Sequence, residues 1–96
     1  MNRRATLWQR FRFFINELPD GTEFSRTSLK IMADESPSHP TTVDTYRRMC
    51  ELAGYLEKGS KPGKYIKVKS IPRGASKNDI KEMAYGYRNY STRNWL

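Results

Sequence analysis

The chain carries one cysteine and one histidine in 96 residues. A single thiol excludes an internal disulfide framework and points to a reducing compartment, the cytoplasm. His39 and Cys50 cannot supply the four nitrogen or sulfur ligands of a structural zinc site. As a nucleophilic pair they lack an orienting partner, and Cys50 reads as a small core residue on an apolar helix face. Apolar runs are short as well, and none approaches the ~20 residues that span a bilayer, so no membrane partner is expected. A glycine-rich phosphate loop is also missing. "GSKPGK" (59–64) has neither the closing Ser or Thr nor the strand-to-helix context of one. No cofactor, metal or small-molecule ligand is expected, and the chain reads as a non-enzyme.

Acids are scarce too. Ten Asp and Glu face eighteen Lys and Arg, for a net charge of +8, which suggests a polyanionic partner. The shortage is local: from Lys58 through Asn78 there are seven basic residues and no acid. A surface shaped only for solubility intersperses the two signs.

What is present is helical and hairpin patterning. "MNRRATLWQRFRFFINEL" (1–18) is basic and amphipathic, as targeting peptides are. Glu17, the lack of a serine-rich flank and the turn "LPDG" favour a core helix instead. Thr6 and Gln9 form a capping-box pattern, and Leu7, Trp8, Phe11, Phe14, Ile15 and Leu18 trace the apolar stripe of a helix starting near residue 7. "TEFS" (22–25) is extended. Ser25 can cap a second helix, 26–33, that buries Leu29, Met32 and Ala33. "DESPSHP" (34–40) breaks the pattern. Thr41 or Thr42 can cap a third helix, 42–53, with Val43, Tyr46, Met49, Cys50 and Ala53 on one face and Gly54 at its C-terminal left-handed position. A strand over Tyr55–Glu57, a turn centred on Pro62-Gly63 and a returning strand over Tyr65–Ile71 form a hairpin. Its alternation predicts Ile66 and Val68 on one face, Lys67 and Lys69 on the other. Ser76 and Asp79 open a C-terminal helix, 76–87, with Ile80, Met83, Ala84 and Tyr87 as its apolar stripe. The fold class is α+β, mainly α.

Residues 7–71, and above all "TTVDTYRRMCELAGYLEK" (41–58) with the basic hairpin after it, resemble the winged helix-turn-helix superfamily. Cys50 takes a seat usually held by leucine there, and Arg47 stands where an apolar residue is common. The resemblance implies a three-helix winged helix-turn-helix over 1–75, with a β-hairpin wing and an additional C-terminal helix and tail over 76–96. It also implies that the third helix enters the major groove of double-stranded DNA.

On a helical wheel the face opposite the Tyr46–Cys50 core presents Asp44, Arg48 and Glu51, flanked by Thr45 and Arg47. Arginine can bond bidentately to guanine, and threonine can reach phosphate or a thymine methyl. Arg48 and Thr45 are the base-reading candidates, Thr41 and Thr42 the phosphate-binding ones. Arg47 and Asp44 complete the helix set. Lys61, Lys64, Lys67 and Lys69 form the wing set on phosphates. A solvated face, with Arg48 paired to Asp44 four residues earlier, explains the same helix without DNA. The leading expectation is a sequence-specific transcriptional regulator. The alternative is a non-catalytic winged-helix module that binds another protein. The tail "YRNYSTRNWL" (87–96) can pack on its own domain, join two subunits as a homodimer through residues 76–96, or stack on nucleic acid.

Overall fold

The computed structural model describes residues 5–35 and 41–86. In chain order they form helix α1 (Leu7–Glu17), strand β1 (Glu23–Ser25), helix α2 (Arg26–Ala33), helix α3 (Thr42–Ala53), strands β2 (Leu56–Lys58) and β3 (Lys64–Lys67), and helix α4 (Lys77–Lys81), which runs into a π-helical segment, Glu82–Gly86. This is an α+β architecture, and no helix among the described residues is long and apolar enough to cross a membrane.

Local chemistry starts each helix. The Thr6 hydroxyl accepts from the Gln9 N–H at 3.1 Å, while the Gln9 side chain accepts from the Thr6 N–H at 2.9 Å, which satisfies two otherwise orphaned donors. Ser25 accepts from the Ser28 N–H at 3.0 Å to open α2, and Ser76 and Asp79 exchange the same reciprocal bonds at α4. Helix α3 ends at Gly54, whose φ of 94° is a left-handed conformation that glycine adopts without steric penalty.

Trp8, Phe11 and Ile15 of α1 face the core. The Tyr46 ring of α3 stands edge-on to Trp8 at 5.2 Å and to Phe11 at 5.7 Å, an arrangement favoured by aromatic quadrupoles. Leu29, Val43, Leu56, Ile71 and Ile80 complete the core from the other elements. The chain after the sheet is tied to α1 by three polar side chains. Trp8 Nε1 and Arg12 both donate to the Ala75 carbonyl, and the Asn16 amide accepts from the Ile71 N–H at 2.8 Å and donates to its carbonyl at 2.9 Å.

The sheet is antiparallel with strand order β1-β3-β2. The hairpin forms as the sequence predicts, with Leu56 opposite Lys67 and Lys58 opposite Tyr65. Strand β1, expected from sequence only as an extended segment, pairs with β3, Glu23 opposite Ile66. The returning strand is shorter than the 65–71 expected. After Lys67 the Tyr55 carbonyl gathers the Val68 N–H, and Asn16 then takes over Ile71 in place of a neighbouring strand.

The expected alternation fails at Lys67 and Val68, while Lys69, beyond the end of β3, is exposed as expected. Lys67 is buried at 2% exposure and Val68 is exposed. Tyr65 turns inward against Phe24, 6.1 Å between ring centroids. The Lys67 stem follows it, and its ammonium bonds the Leu18 carbonyl at the end of α1 and sits 3.3 Å from Asp20. A long aliphatic stem with a satisfied ammonium can line a core as an apolar residue does. The expected C-terminal stripe is also corrected. Ile80 is fully buried and Ala84 packs against the core, as expected, but Met83 is exposed and Tyr85 packs inward in its place. The wider π-helical turn shifts the inward face by one position. Tyr87 and the tail lie outside the described residues.

Candidate nucleic-acid interface

Helix α3 has an apolar face and an outer ridge. Val43, Tyr46, Met49 and Cys50 point into the core, and burial pushes the Cys50 thiol up to about 12. The ridge carries Thr42, Thr45, Arg48 and Leu52, all exposed. Thr41 takes the N-cap position, half-buried, with its hydroxyl lacking a partner among the described residues.

Asp44 is not on the ridge. The expected Asp44–Arg48 pair is replaced by a longer-range one. Asp44 turns toward α2 and accepts two parallel bonds from Arg26, 2.9 Å from Nε and 3.0 Å from a terminal nitrogen. It also sits 3.1 Å from the ammonium of the fully buried Lys30 and accepts from the Thr41 N–H at 3.3 Å. The Arg26 bonds first, then those of Lys30 and Thr41, hold its carboxyl far below the usual carboxylate range. A fork of this kind fixes the angle between α2 and α3. It also leaves Arg48 with no ion pair among the described residues.

Arg47 and Glu51, expected at or beside the outer face, lean toward the sheet. The Arg47 guanidinium lies 4.4 Å from the Tyr65 ring centroid and pairs with Glu51. Glu51 also takes the Lys58 ammonium at 3.1 Å. These contacts brace α3 against the hairpin.

The hairpin turn is anchored from β1. The Glu23 carboxylate accepts from the Ser60 N–H at 2.7 Å and from its hydroxyl at 2.9 Å, and these bonds lower its pKa. The turn is therefore an ordered projection carrying Lys61 and Lys64, both exposed. Lys69 is exposed as well, its ammonium 5.2 Å from the Tyr55 ring centroid. Lys67, expected beside them, is withdrawn into the core and presents no charge on this surface.

On the other side of α3 stands a basic edge that residue patterns alone do not assign. Helix α4 packs along α3, and the groove between them is lined by Thr42, Thr45, Met49, Lys77, Lys81 and Tyr85. A second groove, lined by Arg48, Glu51, Leu52, Lys58 and Tyr85, runs toward the sheet. The ridge Thr42–Thr45–Arg48 therefore has Lys77 and Lys81 of α4 across one groove and Lys58 of the hairpin, held by Glu51, across the other. The Ser76–Asp79 signal locates α4 in the sequence, but nothing local to it tells where that helix docks. Among the described residues no group of three or more His, Cys, Asp or Glu could hold a metal ion. No protein-family model matches the chain, and neither a curated protein nor a solved structure does.

Proposed function

We propose that the protein is a small, non-catalytic, sequence-specific double-stranded DNA-binding protein of winged helix-turn-helix type, acting as a transcriptional regulator. The observation that carries this reading is the ridge of α3. It holds two threonines and an arginine that has no ion pair among the described residues, with Lys77 and Lys81 across one groove and Lys58 across the other. The order of helices and strands, with β1 and β2 on either side of β3, supports the winged-helix layout.

In this reading the N-terminal half of α3 enters the major groove, about 12 Å wide, which admits a helix. Arg48 bonds to the O6 and N7 of a guanine, and Thr45 meets phosphate or a thymine methyl. Thr42 reaches the sugar-phosphate edge. The wing lysines Lys61, Lys64 and Lys69 lie along one phosphate strand and Lys77 and Lys81 along the other, which supplies affinity without sequence information. Asp44, Arg47 and Lys67 hold the reading helix and the wing in place from behind. The inert Cys50 thiol, buried and protonated at neutral pH, takes no part.

The test is binding of the Arg48→Ala protein to a duplex selected from a randomised pool and to unselected duplex, read by fluorescence anisotropy. The substitution should remove about 1–3 kcal/mol of discrimination, the amount a bidentate guanine contact provides. The melting temperature should stay near wild type, since the exposed Arg48 forms no ion pair among the described residues. Arg47→Ala should instead lower the melting temperature. An unaltered ratio of the two affinities in Arg48→Ala would remove α3 as the reader and favour a protein-binding module.

A further inference from the structure

Helix α1 carries on its outer side a stripe that is its own complement, in which Arg10, Phe13 and Glu17 are exposed and Phe14 is half-buried at the edge, its ring 6.0 Å from that of Phe24. Arg10, Phe13, Phe14 and Glu17 stand at positions i, i+3, i+4 and i+7, one face of an α-helix. Phe13 is 66% exposed, a large apolar surface for a position opposite the core. It borders a shallow depression lined also by Ala5, Gln9, Phe14, Leu18 and Met32. Arg10 and Glu17 close the two ends of the stripe, both exposed, and neither forms an ion pair among the described residues. The neighbouring Arg12, by contrast, is committed to the Ala75 carbonyl.

The charge order decides what fits there. A twofold axis passing between Phe13 and Phe14 would lay a second α1 antiparallel on the first. Arg10 then meets the partner's Glu17, Glu17 meets the partner's Arg10, and the two phenylalanine pairs interleave between them. A surface that matches itself under such a rotation is the requirement for an isologous dimer. We propose that this stripe is the docking surface for a second copy of the chain, forming an antiparallel α1–α1 dimer. The dimer is independent of DNA, so its test is run without any.

Sedimentation equilibrium on the full chain should give twice the 11.3 kDa chain mass in the micromolar range. Arg10→Glu alone and Glu17→Arg alone each place like charges at both symmetric contacts, and each should weaken the dimer about tenfold or more. An equimolar mixture of the two variants should restore assembly, because in the heterodimer Glu at both positions of one chain faces Arg at both positions of the other, and both like-charge clashes are removed. Both positions are exposed, and circular dichroism checks that the variants fold. A wild-type protein that sediments as a monomer overturns the proposal, and this measurement decides even where a variant fails to fold. Single variants that dimerise like wild type, or a mixture no tighter than either variant alone, overturn it equally.

Discussion

Asp44 shows how one side chain can be legible in type and illegible in partner. Its spacing to Arg48 suggests a local helical pair, yet its cations come from α2, eighteen residues away in the case of Arg26. Two or three bonds to charged donors outweigh one exposed i,i+4 pair, and nothing in the helix repeat reports them. The pH consequence follows from the sign of the shift. The folded pKa is depressed, so the stabilisation is fully present above the ordinary carboxylate value of about 4 and is lost as pH falls toward the folded value. Thermal melts should show wild-type stability declining below about pH 4, whereas Asp44→Asn should flatten this acid limb. At neutral pH the same variant should be less stable by about 2–3 kcal/mol in urea unfolding, the cost of breaking a buried pair discounted for partial exposure. Cys50 is legible for the opposite reason, since a small residue on the apolar face of a helix has only the core to enter.

Helices α1, α2 and α3 carry their limits in their own sequence. Thr6, Ser25 and Gly54 mark ends by bonds and dihedral angles made within a turn, so periodicity and caps suffice to place them. Strands do not carry theirs. The partner of β1 comes from beyond two helices, and the inward face of β3 is chosen by Tyr65 and the stem of Lys67 rather than by Ile66 and Val68. The hairpin turn has one requirement that is readable only in three dimensions. A Cβ on Gly59 would lie 2.5 Å from Glu23 Oε2 and 2.8 Å from the Lys64 carbonyl carbon, so backbone must move to admit it. Gly59→Ala should therefore loosen the staple between Glu23 and Ser60 and lower stability by about 1–3 kcal/mol, as overpacking does, measured by thermal unfolding.

For the whole molecule, the excess charge of +8 is visible from composition, and its acid-free stretch from the order of residues. The exposed ridge of α3 is visible in part. The helical wheel picks out Thr45 and Arg48, while Arg47 and Lys67 are occupied inside the protein, and the α4 lysines belong to a helix whose seat no local signal gives. Two basic edges around one ridge lead to a distinct expectation for salt. Replacing Lys77 and Lys81 with alanine should flatten the log–log salt dependence of DNA affinity by about 1.8, at ~0.9 for each phosphate no longer neutralised. Replacing Lys61 and Lys64 should do the same, and replacing Lys67 with methionine should leave the slope unchanged. An unchanged slope for the α4 pair would confine phosphate binding to the hairpin side. The clasp of Asn16 on Ile71, and of β1 on β3, also bears on how the protein is made. Helix α1 leaves the ribosome long before the residues that complete its surroundings, and until β3 and Ile71 follow, Phe24 and Ile15 have no sheet to close over them. The nascent chain therefore cannot close this core until residue 71 has emerged.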